Sequence, residues 1–228
     1  MTYTEALLLG IVQGITEFLP ISSSGHLVIF QSVLGIEQSG NAFEVIVHLG
    51  TLTSIIIVFF RDIKDILFSV KLKKTQSFIY LIFIGTLPSV IIGLGFKENL
   101  ESLFDNIFAV GFALIFTGIF LTGTLFIKMK NNKNSISKAL IIGLSQSIAI
   151  IPGISRSGFT ITTALLLGLN SKDAAKFSFL LAIPAISGAG ILTAVDINME
   201  ISMGVDVALI GFCSSFIMGF ISLKWLLN

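Results

Sequence analysis

Charge is what this chain has least of. Lys and Arg number 14 and Asp and Glu 13 among 228 residues, so charged residues make up 12% of it. An ordinary globular domain carries about 25%. The net charge of +1 leaves no basic footprint for a nucleic acid. A single cysteine, Cys213, excludes an intramolecular disulfide and reads as a small packing residue in an apolar run. The first nine residues carry Glu5 and no basic residue, so no cleavable signal peptide is expected there. Nothing in the pattern suggests a long flexible linker or a soluble second domain.

What the chain has instead is hydrocarbon. Hydrophobic residues make up 54% and mean hydropathy is +0.98. Charge-free runs recur at Thr75–Phe96, Asn106–Ile127, Ala139–Ser155, Phe177–Val195 and Val207–Leu223. A helix needs roughly 20 apolar residues to cross a bilayer core of about 30 Å. The runs do not alternate as strands of a membrane barrel would. The expected fold class is therefore an all-α polytopic membrane protein, a single integral membrane domain over 1–228.

The few charges orient it. Arg61–Lys74 holds Arg61, Lys64, Lys71, Lys73 and Lys74 against Asp62 and Asp65, and Lys128–Lys138 holds four lysines and no acid. Two spans separate these stretches, so both lie on one side, which the positive-inside rule makes cytoplasmic. Lys97–Asp105 and Asp196–Asp206 fall on the other side with one lysine between them. About five crossings follow, at 43–60, 77–96, 107–127, 177–195 and 207–227. Segments 4–30 and 139–169 are each broken by "LPISSSG" and "IPGISRSG". They read as re-entrant hairpins, since broken backbone at membrane depth must be buried in protein or line a wet cavity.

The two breaks are copies. Shifting Gly10–Gly25 by 133 residues lays it without gaps on Gly143–Gly158, with seven of sixteen positions identical: Gly10/Gly143, Gln13/Gln146, Ile15/Ile148, Ile21/Ile154, Ser22/Ser155, Ser24/Ser157 and Gly25/Gly158. With an odd number of crossings in the first unit, the second is inverted. The units run over about 4–127 and 137–228. Inverted repeats with broken helices place a site where the breaks meet. The copies differ where chemistry would sit: Glu17 aligns with Ile150, Ser23 with Arg156 and His26 with Phe159.

A mid-bilayer charge costs at least about 2.5 kcal/mol, so Glu17 and Arg156 on facing breaks suggest a shared polar site. A buried ion pair that merely joins the hairpins is the plainer alternative, but it requires neither His26 nor the serines. Ser-Gly turns opening a helix present N–H groups and hydroxyls to an anion, and a guanidinium matches phosphate oxygens. Gln13 and Glu17, four apart, share a helix face. Glu17 suits a divalent ion or a base, His26 suits proton transfer, and Ser23 could attack phosphorus if a base activates it. The set points to phosphoryl transfer on a substrate whose remainder is lipid. A transporter or flippase of a phosphorylated lipid is the rival, since the same cradle could carry the lipid across. It would need the anion site but neither nucleophile nor proton donor.

The stretches "QGITEFLPISSSGH" and "PGISRSG", with "FEVIVHLGTL", "GTLPS" and "DAAKFSFLLAIPAI", resemble the undecaprenyl-diphosphate phosphatases of the bacitracin-resistance type, from about residue 5 to 227. The resemblance implies a plasma-membrane enzyme that converts a polyprenyl diphosphate to the monophosphate carrier of cell-wall assembly. It also implies a divalent cation, Mg2+ or Ca2+, and is compatible with a homodimer. On the matched motifs, Glu17 resembles the essential acid and metal ligand. Ser23 and His26 resemble the candidate nucleophile and the catalytic histidine, and Arg156 with Ser155 and Ser157 the phosphate-binding signature. Gln13, Ser22, Ser24, Gly25, Gly153 and Gly158 complete the expected substrate contacts. Gln13 stands where the family also uses a carboxylate, leaving one acid fewer. The family usually continues with one more hydrophobic helix after the segment matching 207–227. His48, within a span, is expected to be a packed helix histidine rather than part of the cavity.

Overall fold

The structure is a computed structural model that describes residues 1–36, 42–127, 132–196 and 203–227. The described residues form helices and no strand. Their order is α1 (Tyr3–Thr16), α2 (Ser23–Leu34), α3 (Ala42–Val58), α4 (Phe60–Phe68), α5 (Lys73–Gly95), α6 (Lys97–Phe104), α7 (Ile107–Thr122), α8 (Ile136–Ile148), α9 (Arg156–Leu166), α10 (Ser171–Asp196) and α11 (Val205–Leu227). Part of the basic stretch Lys128–Lys138 (128–131) and most of Asp196–Asp206 (197–202) lie outside the described residues.

Four helical segments are long and apolar enough to cross a membrane: α5, α7 with its tight final turn to Phe126, α10 and α11. At 1.5 Å per residue, the 23 residues of α5 extend about 35 Å. Pro88 and Pro184 sit inside α5 and α10 without ending them. α7 presents Phe108, Phe112, Ile115 and Ile119 outward, which suits a lipid-facing wall.

The fifth candidate crossing is α3, which ends in a bend that the sequence reading did not anticipate. The expected span 43–60 stops at Val58, and α4 departs from α3 at 68°. The reason lies in "FRDIKDILF": a straight continuation would drag Arg61, Asp62, Lys64 and Asp65 along the membrane normal. By turning, α4 packs Ile63 and Ile66 beside Phe59 and Leu223 while an Asp62–Lys176 ion pair ties it to α10. This is the habit of an interfacial helix. Likewise Lys97–Asp105, read as a connecting stretch, is largely the helix α6.

Small residues set the closest packing. α1 lies on α11 through Gly10 and Gly14 against Gly211, Ser214, Ser215 and Gly219; a Cβ on Gly14 would come within 2.7 Å of the Gly219 nitrogen. α8 lies on α5, where a Cβ on Gly143 would come within 2.2 Å of the Gly85 carbonyl oxygen. Membrane helices use such contacts because lipid removes the hydrophobic drive between them. The 133-residue shift carries α1 onto α8 and α5 onto α11, so these two interfaces, α1 on α11 and α8 on α5, join equivalent elements with the partners exchanged.

Candidate functional site

Both expected hairpins are present. α1 ends at Thr16 and α2 starts at Ser23; α8 ends at Ile148 and α9 starts at Arg156. Each second arm opens with the same cap. The Ser22 hydroxyl accepts the Gly25 N–H at 3.3 Å, and the Ser155 hydroxyl accepts the Gly158 N–H at 3.1 Å. The next serine sits beside each cap: Ser22 and Ser24 hydroxyls are 3.4 Å apart, Ser155 and Ser157 hydroxyls 3.3 Å. Such a side-chain oxygen at the N-cap satisfies an otherwise orphaned helix donor. The approach to the cap differs. Ser22 has φ +69°, the only non-glycine residue with positive φ among the described residues, whereas in the second break Gly153 takes φ +94°.

The breaks touch. A Cβ on Gly25 would come 2.8 Å from the Gly153 Cα, and one on Gly158 would come 3.2 Å from the Pro20 Cβ. The Ser157 hydroxyl donates to the Leu19 carbonyl at 3.1 Å. Thr117 of α7 clasps the second break from outside, donating to the Gly153 carbonyl at 2.9 Å and accepting the Ser155 N–H at 3.2 Å. Sequence reasoning passed over Thr117. Its signal was a hydroxyl alone in an otherwise apolar run, "ALIFTGIF".

Glu17 is the hub. It prolongs α1 by one residue, with helical φ/ψ and its N–H on the Gln13 carbonyl, so Gln13 and Glu17 do share a face. Its buried carboxylate takes four neighbours. Arg156 Nη2 donates to Oε1. Gln13 Nε2 donates to Oε2 at 3.0 Å, and the Ser23 hydroxyl donates to the same oxygen at 2.5 Å. The fourth is His48 of α3, whose Nε2 lies 3.6 Å from Oε2. This overturns the expectation for His48: it borders the site. An ionisable side chain within a span is a functional candidate by default, and that signal was available.

Two buried polar atoms in the cluster have no protein partner: Arg156 Nη1 and Gln13 Oε1. Leaving a buried donor unsatisfied costs about 1–3 kcal/mol or more for a charged group, so the open guanidinium N–H is ready for an acceptor oxygen. His26 stands in the first turn of α2. Its Nδ1 meets the Ser22 carbonyl at 2.8 Å; a carbonyl only accepts, so Nδ1 carries hydrogen and Nε2 is the nitrogen left for proton exchange. The site thus collects Gln13, Glu17, Ser23 and Arg156 in direct contact. Ser22 and Ser155 cap their own helices through their oxygens, Ser157 donates across to the other break, and Gly25, Gly153 and Gly158 let the breaks approach.

Among the described residues no three His, Cys, Asp or Glu side chains gather as a metal cluster would. Among the described residues Glu17 is the one carboxylate recorded in contact with Gln13, Ser23 and Arg156, and the orphaned Gln13 Oε1 is a second oxygen one helical turn away. That fits a hard divalent ion completed by substrate oxygens, the usual habit of Mg2+.

A family model described as "Bacitracin resistance protein BacA" matches residues 6–228. Similar proteins include the undecaprenyl-diphosphatase of Carboxydothermus hydrogenoformans, 42% identical over 238 residues that cover all of this chain and 88% of that protein. That of Bacteroides fragilis strain YCH46 is 38% identical over all of this chain and 90% of its own length. A relative of the same name, from Methanosphaera stadtmanae, is 40% identical over 98% of this chain and 88% of its own.

Proposed function

Because the chain belongs to the bacitracin resistance protein BacA family, we propose that it is an undecaprenyl-diphosphatase of the cytoplasmic membrane. It hydrolyses a polyprenyl diphosphate to the monophosphate carrier lipid and inorganic phosphate. The observation that carries this reading is the Ser23 hydroxyl donating to Glu17 Oε2 while Arg156 of the opposite break holds Oε1. A transporter has use for Arg156 but none for a serine hydrogen-bonded to a base.

In this reading the two units run in opposite directions through the bilayer, and the diphosphate lies where their breaks meet. Arg156 Nη1 and the helix N-termini at Ser23 and Arg156 hold the terminal phosphate. Ser23 Oγ attacks the terminal phosphorus and passes its proton to Glu17 Oε2. The bond between that phosphorus and the bridging oxygen breaks, and the leaving polyprenyl phosphate takes a proton from His26 Nε2. Water then attacks the phosphoserine, giving one proton to His26 and releasing phosphate, while the Glu17 proton returns to Ser23 Oγ. Atoms and charges balance over the two steps, and every residue used comes from one chain.

Glu17 and Gln13 Oε1 would hold a divalent ion, Mg2+ or Ca2+, that offsets the negative charge of the diphosphate. Protein reconstituted in bilayers should release phosphate from a polyprenyl diphosphate and stop when a chelator is added. No release from the untreated protein contradicts the phosphatase reading. Release undiminished by chelator contradicts the metal alone.

A further inference from the structure

The Glu17 carboxylate is held by Arg156 through one guanidinium nitrogen, with Nη1 left without a protein partner. A single contact on Oε1 does not fix the carboxylate plane, because the terminal torsion of a Glu side chain is broad. Yet Ser23 needs Oε2 in one place. Gln13 supplies part of the restraint from the preceding turn, at 3.0 Å. The other neighbour of Oε2 is His48, on a different helix.

His48 is anchored from behind. Its Nδ1 meets the Glu44 carbonyl at 2.7 Å, so Nδ1 bears hydrogen and the ring is locked with Nε2 nearest Glu17. Glu44 is itself tied across to α2 by a side-chain hydrogen bond with Gln31. Anchor and ring both belong to α3, which packs on α1, α10 and α11, whereas Ser23 belongs to α2. The 3.6 Å between Nε2 and Oε2 is too long for a direct hydrogen bond. It is contact distance, so the ring fills the space beside Oε2.

We propose that His48 is a positioning residue: by bordering Oε2, it holds the Glu17 carboxylate in the plane that faces the Ser23 hydroxyl. It touches neither substrate nor the reacting phosphorus. The kinetic part of this inference rests on the phosphatase reading, while the contact itself does not.

Replacing His48 with Ala frees the carboxylate to turn. Loss of alignment at a reacting pair costs about a hundredfold, so kcat should fall by about ten- to a hundredfold with KM little changed. His48→Gln places an amide near the Nε2 position and should restore most of the rate. Three kinetic results would overturn the proposal: an Ala variant with wild-type kcat, a rise in KM at unchanged kcat, or a Gln variant as slow as Ala. The last would make the ring itself a proton carrier. A second readout needs no turnover. The chain has two histidines, so the His48 ring nitrogens can be assigned by their disappearance in His48→Gln. In bilayer-reconstituted protein, Glu17→Gln should shift the His48 ring signals. Signals unmoved by that change would overturn the contact even in a correctly folded protein. A wild-type protein inactive on polyprenyl diphosphate would sink the phosphatase reading and leave the spectroscopic test standing.

Discussion

The first break and the second are built on one frame and do different work. Both open a helix with a serine cap that takes the N–H of a glycine three residues on, and both set a second hydroxyl beside it. Three of the aligned pairs that differ bear on the site. Where the first has Glu17, the second has Ile150, which packs toward Gly93. Where the first has His26, the second has Phe159, stacked on Phe120 with ring centroids 4.1 Å apart. Where the first has Ser23, the second has Arg156, and these two meet on the same carboxylate. The glutamines show the same split: Gln13 reaches Glu17, while Gln146 reaches Ser89 of α5. The lesson is a division of labour. Shared residues build the turn, and the unshared ones supply the carboxylate, imidazole, added hydroxyl and guanidinium on which the proposed chemistry rests.

That comparison can be broken at its unshared positions first. Ser23→Ala should lower phosphate release by about three orders of magnitude or more, the scale of removing a nucleophile. A modest drop would transfer the attack to water and make Ser23 an orienting group. At the next pair, His26→Ala should cost about 10²–10⁴-fold in rate, as for a general acid or base, with little change in melting temperature. Phe159→Ala at the equivalent place should do the reverse, losing about 3–5 kcal/mol of stability as a truncated buried aromatic with a smaller loss of turnover per folded molecule. Equal kinetic losses at the two positions would dissolve the distinction. The shared frame should respond least. Ser22→Ala and Ser155→Ala each remove an N-cap, worth about 1 kcal/mol, and should lower thermal stability by similar amounts. A large loss of rate in either variant, with stability intact, would mean that its hydroxyl contacts substrate.

The sequence carried the spans and breaks because hydropathy, charge bias and the 133-residue repeat are one-dimensional signals. It also placed Gln13, Glu17, Ser23 and Arg156 in one site, since an acid and a guanidinium buried on facing turns require a partner. Besides Thr117 and the helix α6, three features escaped. The bend at Phe59 escaped because the charges that follow it read as a connecting loop, and only the spacing of Ile63 and Ile66 among them marks a second helix on another axis. The serine hydroxyls of the Ser-x-Ser-Gly frame were read as phosphate ligands, and the capping of their own helix N-termini by Ser22 and Ser155 was not foreseen. That choice depends on backbone torsions no residue list states. His48 was discounted because nothing local in "VIVHLGT" tells whether a helix face meets lipid, core or the end of α1.

The central claim is that Glu17 and Arg156, one from each break, act as a single unit. A double-mutant cycle on steady-state phosphate release tests it directly, with Glu17→Gln, Arg156→Gln and the pair together in reconstituted protein. If they form one unit, each single change removes most of the activity and the double variant loses little more than the worse of the two. If the losses multiply, the two breaks contribute independently, and the shared site described here is wrong.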